Sequence, residues 1–117
     1  MKTRLLALLL GILLSTSTSA GVTSVNMLGA GKVSCKEWQS QRATTEYFRA
    51  GNWILGFLSA PAWSSGEDIL AASKADTLFN AVDGYCRIHP KESIADATME
   101  LVDHLRDKIP PQNPLTK

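Results

Sequence analysis

Two cysteines limit the fold of this 117-residue chain more than any other feature of its sequence. Cys35 and Cys86 are the only cysteines, and about 50 residues separate them. A disulfide between them would close a loop whose chain-entropy contribution is roughly 4 kcal/mol. Because small domains are stable by only about 5–15 kcal/mol, the redox state of this pair decides how the rest of the chain can fold.

The first 20 residues indicate which compartment sets that redox state. Lys2 and Arg4 precede an apolar run of about ten residues, and small residues follow up to Ala20. This order is typical of a secretory signal peptide, here residues 1–20. The apolar run is shorter than the roughly 20 residues of a membrane-spanning helix, so we expect no membrane insertion after cleavage. Gly21, rather than a cysteine, follows the expected cleavage point, and no lipid attachment is expected there.

Export favours a Cys35–Cys86 disulfide, because an even number of cysteines in an oxidising compartment is usually paired. The alternative is two free thiols. The 97 residues from Gly21 onward suffice for one small domain. They carry ten Lys or Arg and eleven Asp or Glu, a formal charge of −1. This balance provides no basic field, so we expect neither nucleic acid nor an anionic membrane surface as a partner.

Apolar spacing and helix caps predict a small all-α domain, a bundle of about four helices over residues 34–109. The expected helices run from Ser34 to about Arg42, from Thr44 or Thr45 to about Ser59, from about Ala75 to Ile88 or His89, and from Ser93 to about Lys108. Pro61 is expected to end the second helix and Pro90 the third. Residues 21–33 are expected to be a flexible leader and residues 110–117 a proline-rich tail.

Two surfaces of this bundle have alternative interpretations. The aromatic residues Trp53 and Phe57 of the second helix fit the core, whereas Trp63 follows Pro61 in an expected loop and would be a protein contact if exposed. The last helix carries an acidic stripe, made of Glu92, Asp96, Glu100, Asp103 and Asp107. The stripe fits a solvated face, with a pH response as the functional alternative, because full protonation would take the charge of the exported part from −1 to +12.

The segment "DGYCRIHPKESI" places Cys86 three residues before His89 and raises the question of a chemical site. A structural zinc site needs four ligands, and Cys35, His104 and carboxylates are the only further candidates, so no metal is expected. No nucleophile elbow or comparable motif accompanies either histidine, so we expect no catalytic residues, no cofactor and no enzymatic activity. The segment instead fits a joint between two helices, with Cys86 facing the core.

Three segments, "SCKEW", "NWILGFLSA" and "VDGYCRIHPKESIADA", together resemble small periplasmic proteins of the HdeA/HdeB type. This resemblance implies an all-helical periplasmic domain that acts as an acid-stress chaperone. Such a protein is a folded, inactive homodimer at neutral pH, and in acid it opens and binds unfolding client proteins through apolar surface. Carried over, Cys35 and Cys86 would form the disulfide, and the second helix would supply dimer or client surface. With Trp63 included, the candidate partner-binding residues are Trp53, Phe57, Leu58 and Trp63.

The segment from Tyr85 to Pro90, and the helix after it, also resemble the Rap1a/Tai immunity proteins of type VI secretion systems. This second resemblance implies tight binding of one secreted toxin at neutral pH. The sequence departs from both families: the aromatic second helix is longer than in the chaperones, and the immunity proteins usually carry more than two cysteines. Acid-stress chaperone, immunity protein and uncharacterised envelope protein are therefore three alternative functions for an exported protein-binding domain.

Overall fold

The computed structural model describes residues 26–110, which form four α-helices and one short 3₁₀ turn. The elements are the N-terminal turn (Gly29–Lys32), α1 (Cys35–Ser40), α2 (Thr45–Ser65), α3 (Ala75–Ile88) and α4 (Ile94–Asp107). The described range contains no β-strand, and a disulfide joins α1 to α3. The predicted all-α bundle with one disulfide is therefore confirmed. The signal peptide, residues 21–25 of the leader and residues 111–117 of the tail lie outside the described residues.

The two serines that were predicted to begin helices do so through complete capping boxes. The hydroxyl of Ser34 accepts from the Glu37 N–H at 3.2 Å, and the Glu37 carboxylate accepts from the Ser34 N–H at 2.9 Å. Ser93 and Asp96 repeat this arrangement at the start of α4, with the same two distances. Since the first N–H groups of a helix have no partner inside it, these reciprocal bonds fix where α1 and α4 begin.

A turn at residues 41–44 separates α1 from α2. Ala43 lies in this turn and has a φ of 62°, in the left-handed region that residues with a Cβ rarely adopt. The Thr44 side chain then accepts from the Tyr47 N–H at 3.3 Å and caps α2. The chain therefore turns between two separate helices instead of continuing as one.

α2 is longer than the sequence predicted, because Pro61 lies inside it instead of ending it. A proline in a helix interior removes one hydrogen bond and costs about 3 kcal/mol. Packing on both sides of Pro61 opposes that cost, since Leu58 is buried and Ala62 packs against the core. The helix ends at Gly66, whose φ is 70° and whose N–H donates to the Ala62 carbonyl at 3.1 Å. No helix within residues 26–110 is long and apolar enough to cross a membrane.

The core of the described fold surrounds the disulfide. Its largest fully buried side chains are Trp38, Ile54, Leu58, Ile94, Val82, Thr98, Cys35 and Cys86. Backbone hydrogen bonds tie the start of α1 to the joint between α3 and α4: the Cys35 N–H donates to the Glu92 carbonyl at 2.7 Å, and the Lys36 N–H donates to the Pro90 carbonyl at 3.1 Å. The two capped helix starts therefore lie side by side, next to the disulfide.

The N-terminal turn belongs to the fold, although the sequence predicted a flexible leader over residues 21–33. Gly31 is buried, and a Cβ added to it would lie 2.4 Å from a ring carbon of Trp53 in α2. The indole N–H of Trp53 donates to the Leu28 carbonyl at 3.2 Å. The glycines that indicated a loop thus permit close packing on an indole ring, and the folded body includes this turn.

We predict that Gly31→Ala lowers the free energy of unfolding by about 1–3 kcal/mol, the usual range for overpacking a buried site. The cause is the new methyl group, which would overlap the Trp53 ring. Urea unfolding followed by circular dichroism measures the change. Gly84→Ala is the matched control, because a Cβ at Gly84 meets no atom within 4 Å and alanine favours a helix interior by up to about 1 kcal/mol. Equal stability of the two variants would contradict the packing of the turn on α2.

Candidate functional site

The joint between α3 and α4 holds the residues that the sequence singled out for chemistry. Cys86 is fully buried and bonded to Cys35, so its sulfur is neither a free nucleophile nor a free metal ligand. His89 Nδ1 lies 3.5 Å from a carboxylate oxygen of Glu92. Within residues 26–110, no group of three or more His, Cys, Asp or Glu side chains is placed to hold a metal ion. The joint therefore combines a structural disulfide with a histidine and carboxylate pair at the surface.

A tyrosine completes the polar contacts of this joint. The Tyr85 hydroxyl donates a hydrogen bond to the Glu92 carboxylate, and the rings of Tyr85 and His89 lie with their centroids 4.4 Å apart. The hydrogen bond to Glu92 raises the pKa of Tyr85 to about 12, with burial and the charges of Glu92, Asp96 and Glu100 adding to the effect. Neutral Tyr85 thus links the last turn of α3 to the segment that leads into α4.

The second polar cluster lies inside the bundle, and we call it the Trp38 anchor. Trp38 is fully buried, and its indole N–H donates to one carboxylate oxygen of Asp83 at 2.7 Å. The other oxygen of Asp83 forms an ion pair with Arg42. Tyr47 stacks on the indole with a centroid distance of 4.5 Å, and Phe79 contacts it edge-on at 5.7 Å. The anchor thus connects α1, the start of α2 and α3 through one buried indole.

Sequence reasoning did not identify Asp83, although a signal for it exists. Asp83 follows Phe79 by four residues and precedes Cys86 by three, so it interrupts the buried face of α3 with a charge. Because a buried charge is almost always paired, a carboxylate on an apolar face indicates an internal partner. Arg42 gave no comparable signal, since nothing local distinguishes it from the other basic residues.

The four predicted partner-binding residues do not form one surface. Leu58 is fully buried, so its placement on a surface of the folded protein is corrected: its side of α2 faces the core. Trp53 and Phe57 are half-buried and stack on each other with a centroid distance of 5.1 Å. Trp63 is 91% exposed and lies within α2, not in a loop. Of the four residues, Trp63 alone is fully available for contact.

An uncharged and exposed side of α2 extends from Phe48 to Trp63. Phe48 is 64% exposed, and the sequence from residue 50 to residue 66 contains no charged side chain. At 100° per residue, one helix face about 100° wide contains Phe48, Asn52, Leu55, Gly56, Ser59 and Trp63. We call these six residues the α2 outer face. An exposed tryptophan and phenylalanine on one uncharged face are typical of a protein contact.

A groove of about 460 Å³ provides a second apolar surface, between α3, α4 and the loop at residues 68–73. Leu78, Leu101 and Leu105 line it, and all three are core residues. His104 and Lys108 also border the groove. The groove therefore reaches the core along the contact between α3 and α4.

No protein-family model, no curated protein and no solved structure matches this chain. The resemblances to known families therefore rest on the sequence segments quoted for them. Three features of the described residues bear on function: the carboxylate contacts, the groove between α3 and α4, and the α2 outer face.

We predict that Asp83→Ala lowers the free energy of unfolding by about 1–3 kcal/mol, because the buried N–H of Trp38 would lose its acceptor. Asp83→Asn is the matched variant: its amide oxygen still accepts from the indole, so the loss should be smaller. Urea unfolding monitored by tryptophan fluorescence measures both changes. If the alanine variant unfolds at the same urea concentration as the wild type, the indole to carboxylate bond contributes no net stability.

The raised pKa of Tyr85 predicts a loss of stability at alkaline pH. The folded pKa of about 12 exceeds the ordinary value of 10.0, so the contribution is complete below about pH 10 and disappears as the pH rises through about 12. Tyr85→Phe should remove this slope from a plot of unfolding free energy against pH. Tyr47→Phe, at the other tyrosine of the chain, should retain it. If the slope instead persists in Tyr85→Phe and disappears in Tyr47→Phe, the titrating group is Tyr47 and the prediction is wrong.

Proposed function

We propose that this chain is an exported, periplasmic protein-binding domain without enzymatic activity, and that it acts as an acid-stress chaperone for unfolding client proteins. One observation carries the proposal. Carboxylates accept hydrogen bonds that fix two helix starts and connect the elements, whereas the disulfide that joins α1 to α3 does not titrate. Acid would therefore loosen the bundle without separating α1 from α3.

The carboxylates concerned share one property, since each accepts a hydrogen bond at a helix start or between two elements. They are Glu37, Asp83, Glu92 and Asp96. A hydrogen bond to an ionised acceptor is roughly twice as strong as one to a neutral acceptor, so these contacts are strongest while the carboxylates carry their charge. These contacts therefore lie at the start of α1, within α3, in the joint after α3 and at the start of α4.

The pKa of Glu37 indicates the pH range in which the capping box of α1 loses its stabilising effect. The N–H of Ser34, followed by the Ser34 hydroxyl, lowers the pKa of Glu37 below its ordinary value of 4.5. A lowered folded pKa means that the stabilisation is present above the ordinary value and is lost as the pH falls through the folded value. The capping box that begins α1 therefore weakens in strong acid rather than near neutrality.

α4 is the helix that acid would release most easily. It lies outside the loop that the disulfide closes, because Ile94 follows Cys86 in the sequence. Glu92 and Asp96, which hold its start, are both carboxylates, and its exposed side carries Glu100, Asp103 and Asp107. If α4 separated from α2 and α3, the leucines of the groove and the core side chains next to them would become exposed. Apolar segments of a client would then bind to this surface.

Charge acts in the same direction. Protonation of all carboxylates and both histidines takes the formal charge of residues 21–117 from −1 to +12. Positive charges in this number repel one another within a small domain, and the repulsion favours an open state. The disulfide limits the expansion, so the open chain keeps one covalently joined pair of helices while it presents apolar surface.

We predict that the protein suppresses aggregation of an acid-denatured client at about pH 2–3, and that in the same range it binds a dye specific for exposed apolar surface. Light scattering of a client such as an acid-sensitive dehydrogenase, with and without the protein, measures the first effect. The reduced and alkylated protein is the control for the disulfide. Absence of suppression, together with a cooperative fold that is unchanged at that pH, would refute the chaperone role and leave binding of a dedicated partner at neutral pH as the alternative.

Two variants of α4 sharpen this test. Asp96→Asn removes the charge from the capping box and should therefore move the onset of dye binding to higher pH. Asp103→Asn makes the same change in charge at an exposed position of the same helix, outside the capping box. If both variants open at the same pH as the wild type, the carboxylate of the capping box does not control the opening.

A further inference from the structure

We propose that this chain binds a small quaternary ammonium compound in a cavity beside Trp63, at the C-terminal end of α2. The cation would lie against the Trp63 indole, with the Asp68 carboxylate next to it. This inference does not depend on the acid response, and it assigns a small organic cation to Trp63. Three features of this end of α2 carry it: an uncovered indole, an acidic rim without a basic residue, and the negative end of a helix.

The cavity has a volume of about 390 Å³ and lies between the end of α2 and the loop that follows it. Its lining residues are Ser59, Ala62 and Trp63 from α2, and Gly66, Asp68 and Leu70 from the loop. Ala62 and Leu70 also pack against the core, so they give the cavity a supported apolar side. The volume falls within the usual range of small-molecule sites, at its lower end. The cavity therefore suits a compact ligand with apolar surface, such as a group of methyl substituents.

Trp63 offers an aromatic ring that the rest of the described fold leaves uncovered. Trp38 stacks on Tyr47, and Trp53 stacks on Phe57. Trp63 is 91% exposed and has no aromatic partner among the described residues. The faces of an indole ring are negative, and they attract a cation that lies within about 6 Å of the ring centroid. Tryptophan is the best side chain for this interaction, and quaternary ammonium groups are typical ligands of aromatic side chains.

The charges around the cavity are all negative. Glu67 and Asp68 are the only charged residues between Arg49 and Lys74 in the sequence. Both are exposed, and neither forms an ion pair within residues 26–110. Asp68 lines the cavity, and none of the lining residues is Lys, Arg or His. A bound cation would therefore be attracted by the rim of the cavity, whereas an anion would be repelled.

The end of α2 adds a negative potential of its own. The last carbonyl groups of a helix have no partner inside it, and they act together as roughly half a negative charge. Basic side chains occupy the last turn of the other two long helices, with Arg87 in α3 and with His104 and Arg106 in α4. The last turn of α2 contains no basic residue. A cation bound beside Trp63 would supply the positive charge that basic side chains supply in α3 and α4.

The side chains of the cavity favour a quaternary ammonium group over a metal ion or a primary ammonium group. A metal ion such as Ca²⁺ needs six or more oxygen ligands, and the described residues contain no group of three or more His, Cys, Asp or Glu that could hold one. A primary ammonium group is strongly hydrated and has three N–H donors to satisfy. A quaternary ammonium group has no N–H donor, and its methyl groups would pack on Trp63 and Leu70.

A titration of the processed chain with choline at neutral pH and constant ionic strength tests the proposal. The indole N–H signal of Trp63 in the NMR spectrum should shift, with a Kd on the order of 1–10 mM, because one exposed ring and one carboxylate bind weakly. The neutral alcohol in which carbon replaces the choline nitrogen (dimethylbutanol) has the same shape, and it should bind about tenfold more weakly. Equal binding of the two compounds, or no shift with choline up to about 50 mM, would overturn the proposal.

Two variants test the assignment to this cavity. Trp63→Leu keeps an apolar side chain without the ring and should raise the Kd for choline about fivefold, and Asp68→Asn keeps the shape without the charge and should raise it about threefold. Phe48→Leu and Asp103→Asn make comparable changes at exposed positions outside the cavity, so they should leave the Kd unchanged. Thermal unfolding of each variant checks that the fold is retained. If neither Trp63→Leu nor Asp68→Asn raises the Kd, the cation does not bind in this cavity and the assignment is wrong.

Ethanolamine tests the preference for a quaternary group, because it is choline with a primary ammonium group. It should bind more weakly than choline, since it must lose more of its hydration. Tighter binding of ethanolamine than of choline would overturn the assignment of a quaternary ammonium ligand.

Discussion

The disulfide between Cys35 and Cys86 is the constraint on which the other contacts of this fold depend. α1 has six residues, and a helix of that length is unstable in isolation. The Trp38 anchor lies one helical turn from the disulfide on both helices, because Trp38 follows Cys35 by three residues and Asp83 precedes Cys86 by three. The disulfide and the Trp38–Asp83 hydrogen bond therefore join α1 to α3 at two points about one helical turn apart. α2 lies between the two cysteines in the sequence and packs on the core that surrounds the disulfide.

Local chemistry made most of the architecture predictable from the sequence. Helix caps depend on side chains only a few residues apart, and α1 and α4 begin where Ser34 and Ser93 predicted them. The errors arose where packing between distant residues prevailed over a local rule. Pro61 continues a helix because the core holds α2 on both sides of it, and Gly31 is ordered because it packs on Trp53, 22 positions further along the chain.

The candidate site was less predictable than the fold, because a surface depends on which side of a helix the core covers. The apolar residues of α2 occur around most of its circumference, so the sequence did not distinguish the buried Leu58 from the exposed Trp63. The contacts of Asp83 with Trp38 and Arg42 were not predictable from the sequence, because they depend on α1 and α3 being neighbours in the fold. The fold therefore places its carboxylate contacts on α1, α3, α4 and the joint before α4, whereas its exposed aromatic face lies on α2.

The position of α4 outside the disulfide loop also has a consequence for biogenesis. If the chain is exported with its N-terminus first, as we propose, both cysteines reach the oxidising compartment before α4 does. The disulfide could then form while the surface of α2 and α3 that α4 later covers is still exposed to solvent. Docking of α4 would be the last step of maturation, and acid would reverse that same step without breaking a covalent bond. A newly translocated chain and an acid-opened one would thus expose the same apolar surface of α2 and α3, which α4 covers in the folded protein.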